Sequence, residues 1–306
     1  MNINDSIVTN EEKIIFTLRG LYDRFGYCLY KMSKFEPYDL YVRNKDFLIS
    51  DHVITFTDVN GKLMALKPDV TLSIIKNSKD EVGQVQKLYY NENVYRVAGA
   101  GRNYREIMQV GLECIGDIDN TCVNEVVSLA LQSLCAISPR CLLDLSHPGI
   151  VSAVLADQPD EVRGALIKCM GEKNGHELAQ ICRQNGINAD LLEALLNCYG
   201  QPQEVLARLR RLPLPPAAVA AVEELADAVA AVGEDTRLRI DLSMVSNTKY
   251  YNGITFKGFI DGVPESVLSG GRYDKLLRRM KRQSGAIGFA VYLDALERFA
   301  IEEVEA

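Results

Sequence analysis

Residues 85–116 read VQKLYYNENVYRVAGAGRNYREIMQVGLECIG, two β-patterned runs around a small-residue connection. Val85 to Val97 is rich in Tyr and Val. From Glu106 to Gly116, Ile107, Gln109, Gly111, Glu113 and Ile115 recur at every second position, which places them on one face of a strand. The connection, Ala98-Gly-Ala-Gly-Arg-Asn-Tyr104, suits a mobile loop over a ligand. A strand pair of this kind predicts a sheet built from hairpins.

The segments on either side agree. Val53–Thr57 and Lys62–Lys67 flank Asn60-Gly61, the strongest short hairpin signal. Pro68 and Asp69 then open a short helix, Val70 to Lys76. Nearer the start, Asn10 is read as the cap of an amphipathic helix on Ile14, Ile15, Leu18, Leu21, Tyr22 and Phe25, closed by Gly26. Downstream come a helix at Val123–Ala136 and a strand at Cys141–Leu145. From Pro148 to Val232 Ala and Leu dominate and strand signals fade, with Gly171, Gly186, Gly200 and Pro213–Pro216 as breaks. β patterning returns at Leu238–Leu242, Tyr250–Ile260 and Ala286–Ala290, and a helix is expected over Tyr292–Val304. The expected class is therefore α+β, an antiparallel sheet flanked by helices. Residues 1–147 and 233–306 form one discontinuous domain, and 148–232 form a helical insertion. No G-x-G-x-x-G follows a strand and no G-x-x-x-x-G-K-[ST] occurs, so dinucleotide and P-loop folds are excluded.

Composition narrows the function. The 306 residues carry a net charge of −7, whereas nucleic-acid binding usually brings a basic surplus. No apolar run approaches the roughly 20 residues that span a membrane, and Met1–Ile14 lacks the basic start of a signal peptide. Eight cysteines contain no C-x-x-C, the closest pair being Cys135 and Cys141, and His52, His147 and His176 stand at no ligand spacing. Reduced, mostly buried thiols in the cytoplasm, with no metal and no cofactor, are the expectation.

Three segments combine polar groups with sheet patterning. In Leu66-Lys-Pro-Asp-Val-Thr71, Asp69 and Thr71 either receive a ligand ammonium or simply cap a helix. Gln109 and Glu113, separated by Gly111 on one face, leave either a polar notch with Arg96 as a carboxylate or phosphate clamp, or a solvated face with an Arg–Glu pair across the strands. Tyr250-Tyr251-Asn252-Gly253 with Ser269-Gly-Gly-Arg-Tyr-Asp274 reads as a pocket wall with close backbone approach, or as aromatic core and a tight turn. Arg272, Lys275, Arg278, Arg279, Lys281 and Arg282 make one basic cluster, either a solvated helix face or a phosphate or acidic-partner contact. Three scattered histidines assemble no Ser-His-Asp or Cys-His triad.

Taken together these segments resemble the catalytic core of class II histidyl-tRNA synthetases. Leu66–Thr71 is similar to that family's Arg-Pro-Glu-Gly-Thr stretch, and Tyr95-Arg96 through Gln109-Val-Gly-Leu-Glu113 to its motif 2. Tyr250-Tyr251-Asn252, Gly270-Gly-Arg-Tyr-Asp274 and Gly288-Phe-Ala-Val291 are similar to its histidine-specific motif and motif 3. The resemblance implies that Asp69 and Thr71 meet the amino group of a histidine. It also implies that Gln109, Glu113, Tyr250 and Tyr251 line its pocket, and that Arg96 is the motif 2 arginine. Two synthetase arginines are replaced, by Ser246 and by Ala295. Fixed cations supply much of the rate where charge develops on a phosphate, so amino-acid activation is not expected. The chain stops at Ala306, which leaves no room for a tRNA-binding domain of roughly 100 residues.

A synthetase-like core with those departures resembles the regulatory subunits of ATP phosphoribosyltransferase, as do Met32–Tyr41, Asn44–Leu48 and Ala65–Ser73. Membership implies assembly with a short-form catalytic subunit in a hetero-octamer, with self-association of this chain. It further implies support of the first step of histidine biosynthesis and feedback by histidine as effector, without tRNA or membrane. The alternatives are a synthetase paralogue that activates an amino acid or modifies a small molecule or protein, and a free-standing histidine sensor.

Overall fold

Thr9 opens the first helix, α1 (Asn10–Arg24). Its hydroxyl accepts from the Glu12 amide at 3.2 Å while the Glu12 carboxylate accepts from the Thr9 amide at 2.9 Å. This reciprocal box needs Glu three residues after the cap, which Thr9 has, so Thr9 and not Asn10 is the capping residue. The computed structural model describes residues 8–45, 48, 53–79, 83–98, 103–245 and 250–296. After α1 come β1 (Cys28–Leu29), β2 (Phe35–Pro37), α2 (Tyr38–Arg43) and the hairpin β3 (Thr55–Thr57) and β4 (Leu63–Leu66). At the hairpin turn Asp58 Oδ1 accepts the amides of Asn60 and Lys62, both at 2.8 Å, and Gly61 takes a φ of +81°. Strand β2 joins the hairpin to make a three-stranded sheet in the order β2-β4-β3.

Helix α3 (Val70–Asn77) leads to β5 (Val85–Ala98) and β6 (Asn103–Gly116), which pair antiparallel along their whole length, from Val85 opposite Gly116 to Ala98 opposite Asn103. The glycine-rich connection, 99–102, lies outside the described residues. Then follow α4 (Asn120–Ile137) and β7 (Cys141–Ser146). The helical stretch comprises α5 (Pro148–Val154), α6 (Asp160–Gly171), α7 (Gly175–Gln184), α8 (Asp190–Leu196), the short β8 (Tyr199–Gly200), α9 (Pro202–Leu209) and α10 (Pro216–Val232). The chain returns through β9 (Leu238–Asp241), β10 (Thr255–Ile260), β11 (Leu268–Arg272), α11 (Asp274–Arg279) and β12 (Gly285–Tyr292) to a 3-10 turn at Leu293–Ala295.

Nine strands form the main sheet in the order β1-β5-β6-β12-β11-β10-β7-β9-β8. All neighbours are antiparallel except β1–β5 and β7–β9. The expected α+β class, an antiparallel sheet flanked by helices, is what the chain forms. Even positions of β6, such as Leu112, face a large core shared by Leu18 of α1, Leu134 of α4, Leu178 of α7, Leu195 of α8 and Leu225 of α10. Each such fully buried side chain contributes about 1.5–3 kcal/mol. Odd positions face a smaller cluster with Tyr41, Ile74, Tyr90, Tyr273 and Leu276.

Three local readings change. Ser269-Gly270-Gly271-Arg272 is part of the central strand β11, not a tight turn. Glycine is required at 270 because the Gly288 carbonyl, Phe289 and the Phe256 ring occupy the place a Cβ would take. The strand expected from Tyr250 starts at Thr255. Tyr292 ends β12 instead of opening a helix, and 297–304 lie outside the described residues.

Candidate functional site

Glu113 interrupts the smaller apolar cluster at only 2% exposure. Its Oε1 accepts from Thr71 Oγ1 at 2.9 Å and its Oε2 accepts from the Tyr273 hydroxyl. Gly288 of β12 lies opposite it in register, and a Cβ there would overlap Oε2. The space beside Gly111 is taken by the Tyr90 hydroxyl, so the notch between Gln109 and Glu113 is walled rather than open. Gln109 is buried, opposite Glu92 on β5 and Tyr292 on β12.

Burial drives the electrostatics. It pushes the Glu113 carboxyl from 4.5 up to about 8; the two hydroxyl donors oppose the rise, and Asp69 adds to it. Burial likewise raises Tyr250, Tyr251 and Tyr273, aided by the charge of Glu113 on all three and of Asp69 on Tyr250 and Tyr251, so all three are neutral hydrogen-bonding groups. Tyr250 reaches Thr71 and its ring lies 4.7 Å from that of Tyr251 and 5.6 Å from that of Tyr273, centroid to centroid.

Asp69 is the N-cap of α3, its Oδ1 accepting from the Leu72 amide at 2.9 Å. Burial raises its carboxyl; the Leu72 amide, then the Arg96 charge, pull it back. Arg96 pairs in register with Arg105, not with Glu113, so no Arg–Glu pair crosses the strands there. Its Nε donates to the Pro68 carbonyl at 3.3 Å and its charge acts on Asp69. Asp69, Thr71, Glu113, Tyr250 and Tyr251 are thus brought together, with Arg96 at the Asp69 side. Next to them Tyr251 also lines a cleft of about 200 Å³ with Thr255, Lys257, Ser269 and Tyr292.

Tyr273 is a site residue that the sequence alone does not single out, because its partner Glu113 is far away in sequence; its place two residues after Gly270-Gly271 is the available signal. A second polar chain backs the Tyr250–Asn252 turn. Arg272 Nε donates to Asp274 at 2.9 Å, and Asp274 also accepts from Asn252 Nδ2 at 3.2 Å and the Ala286 amide at 3.0 Å. Arg272 lies 3.9 Å from Glu224 of α10, which pairs with His147 Nε2 at 3.2 Å. The other His147 nitrogen accepts the Gly149 amide and caps α5. The basic cluster is partly tied down: Arg279 donates to the Arg43 carbonyl at 3.3 Å, and Arg282 to the hydroxyl and carbonyl of Ser78 at 2.6 and 2.7 Å. Ser246 falls outside the described residues, and Ala295 sits in the final 3-10 turn. Among the described residues no cluster of three or more His, Cys, Asp and Glu could hold a metal, and no helix is long and apolar enough to cross a membrane. Chemically the pocket offers neutral hydroxyls and two buried carboxyls, a set suited to a small molecule that carries basic nitrogens.

The chain matches the histidyl-tRNA synthetase family model over residues 3–296. It is 28% identical to the ATP phosphoribosyltransferase regulatory subunit of Oceanobacillus iheyensis, over 92% of this chain and 72% of that one. To the protein of the same name from Caldanaerobacter subterraneus subsp. tengcongensis it is 30% identical, over 90% and 75%. Its fold is similar to a Bacillus halodurans C structure described as an ATP phosphoribosyltransferase regulatory subunit/histidyl-tRNA synthetase (TM-score 0.82, 24% identity, 94% of this chain and 78% of that one). It is also similar to a chain of the Thermotoga maritima ATP phosphoribosyl transferase (HisG:HisZ) complex (TM-score 0.75, 18% identity, 96% and 98%).

Proposed function

The chain belongs to the histidyl-tRNA synthetase family and, within it, to the ATP phosphoribosyltransferase regulatory subunits, and we propose that it controls a separate short catalytic subunit rather than catalysing a reaction itself. The match to relatives of that name along nine-tenths of the chain carries this reading. The partner condenses ATP with phosphoribosyl pyrophosphate, in the cytoplasm, within a hetero-octamer in which this chain also contacts its own copies. Ser246 and Ala295, standing where synthetases carry arginines, support the absence of amino-acid activation, since little else would stabilise charge developing on an α-phosphate. The net charge of −7 supports a protein partner over tRNA. Residues 148–232 serve as a helical insertion in the core formed by 1–147 and 233–306.

Histidine is the effector, held by Asp69, Thr71, Arg96, Gln109, Glu113, Tyr250 and Tyr251, with Tyr273 added from its contact to Glu113. What supports this is a carboxyl pushed up to about 8. An imidazole titrates near 6.5, so the two groups share one proton across neutral pH in either arrangement. Asp69 faces the ammonium and Arg96 the carboxylate.

The test mixes the purified chain with a short catalytic subunit and follows condensation of ATP with phosphoribosyl pyrophosphate. Activation by the chain, with inhibition on adding histidine, is the expected result; no activation at any ratio overturns the reading. Histidine-dependent ATP–pyrophosphate exchange by the chain alone would return it to the enzymes. Titration calorimetry of the complex with histidine addresses the pocket: Glu113→Ala should weaken binding at least tenfold, and unchanged affinity removes the assignment.

A further inference from the structure

Far from the pocket in function, the last turn of α4 meets the first residue of β7. Cys135 Sγ and Cys141 Sγ lie 3.7 Å apart, in contact across the short Ser138–Arg140 turn. Cys141 is 5% exposed, whereas Cys135 is half-buried and within reach of solvent. Arg237 stands close enough for its charge to act on both sulfurs, and Asp235 holds that guanidinium in place with bonds of 2.9 and 2.6 Å. Two sulfurs in contact, one accessible and one shielded, beside a fixed cation, are the parts of a dithiol that oxidises in two steps.

We propose that Cys135 and Cys141 form an oxidisable pair that closes reversibly to a disulfide, Cys135 attacking a hydroperoxide and Cys141 resolving the product. In the first step the Cys135 thiolate attacks the peroxide oxygen; the O–O bond breaks, the leaving oxygen takes a proton, and Cys135 becomes a sulfenic acid. In the second the Cys141 thiolate attacks the Cys135 sulfur and expels hydroxide, which is protonated to water. Two thiols are oxidised, one hydroperoxide is reduced, and the sulfurs draw in to a bond of about 2.0 Å. The roles follow from the burial: desolvation, with Cys135 next to it, pushes the Cys141 thiol up to about 12, which suits it poorly to meet oxidant first. The second step should therefore quicken as pH rises.

The experiment treats the native full-length chain with hydrogen peroxide at neutral pH, blocks free thiols and maps peptides without reduction. The exposed Cys28 reports that oxidant was sufficient. The expected result is a peptide joining Cys135 to Cys141, lost on adding dithiothreitol. In Cys141→Ser, Cys135 should instead accumulate as a sulfenic acid trapped by dimedone. Oxidised Cys28 with Cys135 and Cys141 both still free overturns the proposal. So does a link that forms only after the chain is unfolded in urea, or Cys135 oxidised to the same extent with no link to Cys141.

Discussion

Two carboxylates beside the same sheet, Glu113 buried and Glu224 half-buried, are partnered in opposite ways. Glu113 has only hydroxyl donors, Thr71 and Tyr273, and an acid for a neighbour; its carboxyl rises to about 8. Glu224, at the far side of the Tyr250–Asn252 turn, meets His147 and Arg272, and the His147 bond, ahead of burial, holds it below the usual carboxylate range. Burial alone does not decide the state of an acid; the kind of donor does. The His147 ring and the Arg272 charge make Glu224 a fastening between α10 and the β11 end. Neutral partners leave Glu113 poised to gain or lose a proton, which a fastening does not need and a binding site can use.

The sharpest way to break that contrast is to crowd Glu113. Gly288→Ala places a methyl on its Oε2 and on the Leu112 carbonyl, so the centre of the sheet must shift. A loss of about 3 kcal/mol is expected by urea denaturation; a loss below about 0.5 kcal/mol would mean that the close fit is absent. Glu224→Ala leaves His147 and part of Arg272 without their acid and should cost about 2 kcal/mol, read the same way.

Next comes pH. The folded chain holds the Glu113 proton more tightly than the unfolded chain, so this stability is complete below about pH 4.5 and is lost as pH rises towards 8. The slope is at most about 1.4 kcal/mol per pH unit. Glu224 runs the other way, its contribution present above the carboxylate range and lost on acidification. Denaturation midpoints measured from pH 4 to 9 should flatten in Glu113→Gln and keep their neutral-pH decline in Glu224→Gln; the reverse pattern would exchange the two roles. The smallest effect concerns Asp69. Asp69→Ala should cost about 1 kcal/mol through the lost cap, while Asp69→Asn keeps the cap within about 0.5 kcal/mol. If Asn also leaves histidine affinity in the complex unchanged, Asp69 is a cap and nothing more.

The legible parts of this molecule are those in which neighbours in sequence decide the outcome. The Asn60-Gly61 hairpin, the Asp69 cap and the alternation of β6 follow from local geometry, and the fold class follows from them. At β11 two glycines look like a break; only Phe256 and Phe289 packed against Gly270, and the Ile254 carbonyl and Tyr251 ring against Gly271, explain why a central strand needs them. Of the parallel pairs β1–β5 and β7–β9 only the two-residue β1 is too short to signal itself; that β7 and β9 lie side by side, across the whole helical stretch between them, is written in no local pattern. In the site, Asp69, Thr71, Glu113, Tyr250 and Tyr251 come from segments that each carry a local signal, but the Tyr273–Glu113 bond and the His147–Glu224–Arg272 chain depend on contacts between distant segments. No periodicity records such contacts.

The order β6-β12-β11 has a consequence for how the protein is born. A ribosome adding about 5–20 residues per second makes Gly288 roughly ten to thirty seconds after Glu113. Through most of that interval Glu113 has neither its Tyr273 donor nor β12 beside it. The strand that completes its burial arrives late and threads between two neighbours, one of them already waiting since the first half of synthesis. The candidate site is thus the seam along which early and late translation are joined.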